Sequence, residues 1–186
     1  MYVDPTAIDI ILPPNIIEYL DDTSMFKRGK VWGDKDEKPI RSSDTCFRDQ
    51  RDWVGRFCMA HVQSINDDVY KYQLNDEFHN KTYQYSHYNV NDHYGWHIDY
   101  IRTGDKDRPL HRKLSFSLLL NDDYEGGELE FVLPQYGMEL KWNRIALESK
   151  AGSLIVFPSI LGHRVTPVTK GTRKSIVGWC MGRQFT

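Results

Sequence analysis

The chain has 186 residues, enough for one domain with a generous core. Hydrophobic residues make up 40% and charged residues 27%, which is ordinary for a globular protein and argues against a disordered chain. The net charge of −2 excludes a global electrostatic attraction to nucleic acid or to acidic membranes.

The three cysteines, Cys46, Cys58 and Cys180, are odd in number and form no Cys-x-x-Cys pair. A disulfide framework is therefore not expected, and a reducing cytoplasm is the simple inference. The first residues lack the basic and apolar regions of a signal peptide, and no stretch approaches the roughly 20 apolar residues that cross a bilayer. We expect a cytoplasmic protein with no membrane partner.

The part of the chain up to about residue 78 has a mainly helical pattern. A short apolar run predicts a strand over Ile8–Leu12, and a short helix is expected over Asn15–Asp21. A longer helix is expected over Gln50–Tyr72, where apolar residues recur at helical spacing. The expected role of this helix is to face a core.

From about residue 80 to residue 182 the pattern changes to short strands separated by turn residues. These strands are predicted over Thr82–Val90, Lys113–Leu120, Glu128–Leu133, Met138–Trp142, Ser153–Phe157, His163–Pro167 and Arg173–Cys180. Such a pattern favours a barrel or a double-sheet jelly roll. We therefore expect one mainly β domain over residues 1–186, with N-terminal helices. The charged stretch Ile101–Arg112 is expected to be a loop, and whether it is a lid is open.

A candidate metal site begins with His97 and Asp99, which are separated by one residue. On a β-strand, residues i and i+2 point to the same face, so both side chains can converge on one ion. His163, at the start of a predicted strand, can complete a facial triad of two histidines and one carboxylate, which is typical of non-haem iron(II). Taken singly, a solvated His-Asp pair and an ordinary turn histidine are the alternatives.

A candidate carboxylate clamp follows on the next predicted strand, where Arg173 and Ser175 share one face. A guanidinium grips a carboxylate with two hydrogen bonds, and a hydroxyl adds a donor. A dicarboxylate held there could place its 2-oxo acid end on the metal. Tyr88, on the strand before the triad, could donate to the same carboxylate. The alternatives are a solvated basic turn and a packed strand tyrosine.

The other histidines fit a metal site less well. His93 lies four residues before His97, which suits a helix, but the neighbouring asparagine, aspartate and glycine residues argue against a helix there. The remaining histidines have no partner pattern and are expected to be structural or exposed: His61, His79, His87 and His111.

The segment from Tyr88 to Asp99 resembles the metal-binding segment of prolyl-4-hydroxylase-like 2-oxoglutarate oxygenases, and the PKHD-type hydroxylases are the group it resembles most. Four later segments resemble the strands that follow in that family: Lys113–Asn121, Gly126–Phe131, Gly152–Pro158 and His163–Arg173. The resemblance covers roughly residues 80–182, and its motifs are specific jointly. It departs from the family at Asn89–Tyr94, where many relatives carry a glycine-containing turn nearer the tyrosine.

The resemblance implies a double-stranded β-helix (jelly roll) packed against the N-terminal helices. It implies that His97, Asp99 and His163 bind Fe(II), and that Arg173 holds the C5 carboxylate of 2-oxoglutarate with help from Tyr88 and Ser175. The implied reaction hydroxylates a peptidyl residue, prolyl-like, or a small molecule, and releases succinate and CO2. Ascorbate is a further candidate cofactor. If the sequence comes from a phage, the implied location is the host cytoplasm.

Two other functions remain open. A cupin-like metal-binding module without catalysis is compatible with a jelly roll, but it has no need of a dicarboxylate clamp. A nucleic-acid-base oxygenase or demethylase is the second, because basic residues interleaved with aromatics can bind single strands. The residues concerned are Arg102, Lys106, Arg108, Arg112 and Lys113, with Tyr94, Trp96 and Tyr100 nearby and Arg183 further on. A solvated mobile lid is the alternative for this basic stretch.

Overall fold

The computed structural model describes residues 4–23, 25–29, 40–103, 109–135, 141–147 and 150–183. In chain order the elements are β1 (Thr6–Asp9), α1 (Ile16–Thr23), β2 (Lys27–Arg28), β3 (Arg41–Ser42), β4 (Asp44–Asp49), α2 (Trp53–Ile65), β5 (Leu74–Phe78), β6 (Thr82–Tyr88), β7 (His93–His97), β8 (Arg102–Thr103), β9 (Leu110–Leu119), β10 (Glu125–Gly126), β11 (Leu129–Gln135), β12 (Lys141–Ala146), β13 (Ser153–Pro158), β14 (Gly162–Val165), β15 (Val168–Lys170) and β16 (Arg173–Arg183). A π-helical turn over Asn66–Tyr70 extends α2. Among the described residues, no helix has both the length and the hydropathy needed to cross a bilayer.

The strands form two principal antiparallel sheets. The larger has nine strands in the order β1-β13-β9-β16-β6-β4-β2, with β5 paired to β16 and β8 paired to β9. The smaller has five strands in the order β12-β11-β14-β7-β3. A two-stranded ribbon joins β10 to β15. The chain is therefore mainly β.

Each face of the larger sheet packs against a different partner, as the two-residue period of a strand requires. On β13, Leu154 and Val156 belong to a core shared with α1 and α2. Their neighbours Ile155 and Phe157 point the other way, into a second core with Leu129 and Phe131 of the smaller sheet. The second core lies between the two sheets.

Helix α2 begins at a defined N-cap and buries one face. The Asp52 carboxylate accepts a hydrogen bond from the Gly55 amide at 2.8 Å, which satisfies a backbone donor at the helix start. The buried residues Val54, Cys58 and Val62 recur every four positions, so they form one stripe against the larger sheet. The helix predicted over Gln50–Tyr72 is thus present, with its first turn at Trp53.

The N-terminal part contains more strand than the sequence pattern predicts. Besides α1 and α2 it contributes β1 to β5, and β4 lies inside the larger sheet between β6 and β2. Three of the six residues of β4 are charged, so it offers no apolar run that would mark it as a strand. The first strand is Thr6–Asp9 rather than Ile8–Leu12, and Ile11 is 92% exposed.

Two further boundaries differ from the prediction. The strand predicted over Met138–Trp142 is found as Lys141–Ala146, and residues 136–140 lie outside the described residues. The stretch predicted as a loop over Ile101–Arg112 contains β8 and the beginning of β9, which pair with each other. Residues 104–108 of that stretch lie outside the described part, so its interpretation as a lid stays a prediction.

Candidate functional site

Two histidines and one aspartate converge between neighbouring strands of the smaller sheet. His97 ends β7 and lies opposite His163 of β14 in the strand register. Asp99 lies two residues beyond β7, where its amide donates to the Ser159 carbonyl at 3.0 Å. The Asp99 carboxylate lies 3.6 Å from His97 Nε2 and 3.4 Å from His163 Nε2. One ligand atom of each residue lies within 4.8 Å of the other two, so the three side chains could hold one metal ion.

The hydrogen bonds of the two imidazoles orient their Nε2 atoms toward this point. His97 Nδ1 lies 2.8 Å from the Gly95 carbonyl, and His163 Nδ1 lies 2.9 Å from the Leu161 carbonyl. A carbonyl only accepts, so Nδ1 carries the proton in each ring. The Nε2 lone pair of the neutral ring is then free for a metal, and the carbonyl fixes the ring in that tautomer.

Charge and burial act differently on the three groups. Burial lowers the pKa of His97 to about 4, and the neighbouring His163 acts in the same direction. Burial also disfavours the charged form of His163, but the adjacent Asp99 carboxylate outweighs it and raises the His163 pKa. Asp99 is buried, which favours its neutral form, yet the two histidines hold its pKa well below the usual range. Asp99 is therefore a carboxylate near neutral pH.

A pair of buried serines supports the carboxylate. Ser115 of β9 hydrogen-bonds to Asp99, and its hydroxyl lies 2.9 Å from the hydroxyl of Ser159. Both serines are fully buried. The ligand set is thus anchored to the larger sheet as well as to the smaller one.

The triad opens into a cavity of about 380 Å³ between the two sheets, which Arg173 and Tyr88 also line. Arg173 is 3% exposed, and its guanidinium carbon lies 5.6 Å from the centre of the Tyr88 ring. Its Nη1 donates to Ser175 Oγ at 2.8 Å, whereas its Nε is buried without a partner among the described residues. Five of the six residues predicted for the site, the three ligands with Arg173 and Tyr88, therefore line one cavity. Ser175 lies behind Arg173 and touches the guanidinium.

The cavity also contains two arginines that the sequence analysis did not assign to it, Arg41 of β3 and Arg112 of β9. Arg41 is an isolated cation in a polar segment, and no sequence signal marks it. The sequence indicates the position of Arg112 only weakly. This residue precedes the long apolar run of β9, and a charged side chain next to such a run can be buried with it. Gln84, Tyr94 and Trp179 are among the other polar and aromatic residues of the lining.

The described members of the basic stretch considered for nucleic-acid binding contact different partners in the structure. Arg112 stacks on Trp179 with 4.0 Å between the guanidinium carbon and the ring centre. Lys113 is 4% exposed and donates to the Arg183 carbonyl. Trp96 instead lies against Arg144 and Arg164, and Lys106 and Arg108 lie outside the described residues.

Comparison with known protein families places this geometry in context. The model of the 2OG-Fe(II) oxygenase superfamily matches residues 83–181, which is more than half of the chain and includes all three convergent ligands. The chain belongs to the 2OG-Fe(II) oxygenase superfamily. The expected family is thereby confirmed, and the site lies in the part of the chain that carries the match.

Among relatives of this oxygenase, a PKHD-type hydroxylase of Hyphomonas neptunium is 42% identical over 90 residues, 47% of this chain and 37% of the relative. A PKHD-type hydroxylase of Shewanella oneidensis is 36% identical over 97 residues, 51% of this chain and 40% of the relative. The chain thus spans less than half the length of these curated relatives.

Solved structures extend the likeness to the whole chain. A prolyl-4-hydroxylase from Pseudomonas putida superposes with a TM-score of 0.69 at 22% identity, over 98% of this chain and 94% of the other. A viral collagen prolyl hydroxylase from Paramecium bursaria chlorella virus 1, solved with 2-oxoglutarate, gives a TM-score of 0.64 at 14% identity, over 96% of each chain. At these identities the likeness concerns the fold.

Proposed function

We propose that this oxygenase uses Fe(II) and 2-oxoglutarate to hydroxylate a C–H bond of a peptidyl residue or a small molecule. The observation that carries the proposal is the convergence of two histidine lone pairs and one carboxylate in a cavity that also contains a buried arginine. The donor set suits Fe(II), because two imidazoles and one carboxylate leave three adjacent positions open. The partnerless Nε of Arg173 suits a carboxylate as the missing acceptor.

The architecture proposed for this function is a double-stranded β-helix formed by the two facing sheets, with α1 and α2 packed on the outer face of the larger one. One domain over residues 1–186 is proposed, because both sheets and both helices contribute to two adjoining cores. The part up to about residue 78, expected to be helical, also contributes strands to this domain, since β4 and β5 belong to the same sheet as β6 and β16.

In this proposal His97, Asp99 and His163 hold the iron, and Arg173 binds the C5 carboxylate of 2-oxoglutarate. When bound, the metal and cosubstrate supply the oxidising chemistry, in which O2 and 2-oxoglutarate are consumed and succinate and CO2 are released as the substrate is hydroxylated. The protein contributes ligation, orientation and exclusion of water. Tyr88 faces the Arg173 guanidinium and could donate to the same carboxylate.

Ser175 is proposed to act through Arg173 rather than on the cosubstrate. Its hydroxyl accepts a hydrogen bond from Arg173 Nη1 and therefore fixes the rotation of the guanidinium. The apolar side chains of Leu129, Phe157 and Val165 line the same cavity and would limit the entry of water. No separate acid or base is required from the chain.

A prolyl-like peptidyl substrate is supported by the names of the relatives, which are PKHD-type hydroxylases and prolyl hydroxylases, one of them solved with a peptide fragment. A small-molecule substrate is equally compatible with a cavity of about 380 Å³. The odd number of unpaired cysteines supports a cytoplasmic location. Ascorbate as a reductant stays a prediction from the resemblance.

The first test needs no substrate. Anaerobic addition of Fe(II) and 2-oxoglutarate to the wild-type protein should produce the visible charge-transfer band of a metal-bound 2-oxo acid. His97→Ala and Asp99→Ala should lose both the band and 2-oxoglutarate-dependent succinate release, whereas His93→Ala, on the same strand as His97, should retain both. If both ligand variants retain the charge-transfer band, the assigned metal site is wrong.

The second test addresses the cosubstrate clamp. Arg173→Ala should keep Fe(II) binding and weaken 2-oxoglutarate by on the order of 100-fold, because a buried charge-assisted pair is lost. Arg173→Lys should recover only part of the affinity, since an ammonium lacks the planar fork. Lys170→Ala provides the control, because Lys170 is an exposed cation nearby that pairs with Glu125. Titration of the charge-transfer band measures all three affinities.

A further inference from the structure

Arg41 is a buried cation without an anionic partner among the described residues. Its side chain lines the cavity and is 9% exposed. Nε donates to Ser43 Oγ at 2.7 Å and Nη1 donates to Gln84 Oε1 at 3.3 Å, so both partners are neutral. Nη2 is buried and has no partner within the described part of the chain. A cation that has lost water and has no counter-charge from the described residues is unfavourable unless an anion binds there.

Arg41 lies near the proposed metal site. Its guanidinium carbon is 5.0 Å from the centre of the Tyr94 ring. That ring stacks on His97 with 3.6 Å between centroids and 12° between planes. The guanidinium is thus one aromatic ring away from a metal ligand, on the smaller sheet, whereas Arg173 extends from the larger sheet.

Arg112 contributes a second incompletely satisfied guanidinium to the same cavity. Its Nε is buried without a partner among the described residues, and its Nη1 lies at 3.5 Å from the Asp99 carbonyl. Trp179 covers one face of the group at 4.0 Å. The stacking holds the guanidinium plane fixed and leaves its edge for hydrogen bonds.

The charges of the described residues that line the cavity do not balance. Among these residues are three guanidinium groups, those of Arg41, Arg112 and Arg173, and a single carboxylate, that of Asp99. Fe(II) and the 2-oxoglutarate dianion cancel each other, so loading the site would leave an excess of two positive charges. One 2-oxoglutarate carboxylate is assigned to the metal and the other to Arg173. None remains for Arg41.

We propose that Arg41, together with Arg112, binds a carboxylate of the primary substrate, so that the substrate is a carboxylic acid. This proposal rests on the oxygenase function proposed above and names its substrate class. The acid is either a free small molecule, such as an amino acid, or the C-terminal residue of a peptide. A carboxylate bound there would satisfy the free guanidinium edges and hold the neighbouring C–H bonds of the substrate near the metal.

Binding of a simple acid tests the site without knowledge of the natural substrate. The protein loaded with Co(II) and 2-oxoglutarate is titrated with benzoate and, as the neutral isostere, with benzamide, and the visible Co(II) absorption is followed. Benzoate should bind at least about tenfold more tightly than benzamide, because only the acid compensates the buried charge. Arg41→Gln should remove that preference while 2-oxoglutarate affinity stays within about threefold.

The control is Arg51→Gln, since Arg51 is an exposed arginine that already pairs with Asp49. This variant should keep the wild-type preference for benzoate. Arg41→Lys keeps the charge and should retain part of the preference. If Arg41→Gln does not fold, the acid and amide titrations of the wild type and of Arg41→Lys still decide the question.

Turnover separates the two sources of the carboxylate. Succinate release is measured with the free L-amino acids, and with short N-acetylated peptides that end either in a free carboxylate or in the matched amide. Stimulation by amino acids indicates a free acid, and stimulation by the peptide acids but not their amides indicates a C-terminal residue. Equal stimulation by peptide acids and amides overturns the proposal.

Failure of this proposal is distinguishable from failure of the oxygenase assignment. A protein that forms the Fe(II)–2-oxoglutarate band but binds benzoate and benzamide equally keeps its function and loses this inference. Loss of 2-oxoglutarate affinity in Arg41→Gln would make Arg41 a cosubstrate residue and also overturn it. If Arg41→Gln still binds benzoate more tightly than benzamide, the anion binds at the metal or at Arg173, and the proposal is wrong.

Discussion

The two histidines of the proposed metal site hold their protons with very different affinity, although they face the same carboxylate. His163 lies closer to the Asp99 oxygens, and its pKa is raised, whereas burial dominates at His97 and lowers its pKa to about 4. A metal needs the neutral form of both rings. Near neutral pH, His163 is therefore the ring whose proton competes with the metal.

This difference predicts a one-proton pH dependence of metal binding. Below the raised His163 pKa, Co(II) affinity should fall about tenfold for each unit of pH, and above it the affinity should be nearly constant. His97 adds no second proton down to about pH 5, because its own pKa is about 4. Calorimetric titration at pH 6 in two buffers of different ionisation enthalpy should show release of about one proton.

Release of two protons at pH 6 would contradict the low pKa of His97, and release of none would contradict the raised pKa of His163. His93→Ala serves as the matched control, because His93 is the other histidine of β7 and does not line the cavity. Its proton release should equal that of the wild type.

Residue types and spacing could predict most of this site. Each part of the pattern is a weak signal when taken singly: the i, i+2 pair of His97 and Asp99, the later His163, and Arg173 ten residues beyond it. All four residues nevertheless line one cavity. Arg41 could not be predicted, because its burial results from the pairing of β3 with β7, which no local pattern encodes. A buried cation in a polar segment becomes visible only when the tertiary structure is known.

At the scale of elements, the central strand pair β9 and β16 depends on a glycine. Gly178 lies directly opposite Phe116 in the register, and Phe116 is fully buried. A Cβ at position 178 would lie 2.4 Å from Cε1 and 2.7 Å from Cζ of that ring. The ring therefore occupies the space of the missing side chain.

Gly178→Ala should lower the free energy of unfolding by about 1–3 kcal/mol, because the phenyl ring must leave its packed position. Gly162→Ala is the control, since the nearest atom to its added Cβ is 3.9 Å away, which is an ordinary contact. Urea denaturation measures both variants. Combining Gly178→Ala with Phe116→Leu should give less than the sum of the two single losses, and strict additivity would show that the ring is not the cause.

Helices and strands whose apolar residues recur at regular spacing could be predicted well from the sequence, and strands made mostly of polar residues could not. The strands β9, β13 and β16 match the predicted runs closely, and α2 follows its apolar stripe. In contrast, the sequence pattern predicts a helical region where β4 is found. The strand conformation of β4 results from its pairing with β6 and not from its own side chains. Tertiary pairing overrides a weak local preference in such segments.

At the scale of the whole molecule, the proposed ligands connect the two sheets. The proposed metal ligands come from β7, from the second residue beyond it and from β14, all associated with the smaller sheet, whereas Arg173 belongs to the larger one. A 2-oxoglutarate molecule that bridges the metal and Arg173 would therefore tie one sheet to the other. Separation of the sheets would require its release.

Ligand binding should consequently stabilise the entire fold in two separable steps. Co(II) alone should raise the melting temperature, and addition of 2-oxoglutarate at about 100 times its Kd should contribute roughly 2.7 kcal/mol more, or about 5–10 °C for a chain of this size. Asp99→Ala should lose both steps, because the cosubstrate needs the metal. Arg173→Ala should lose only the second, since its metal ligands are intact. A second step that persists in Arg173→Ala would mean that 2-oxoglutarate stabilises the protein through the smaller sheet alone.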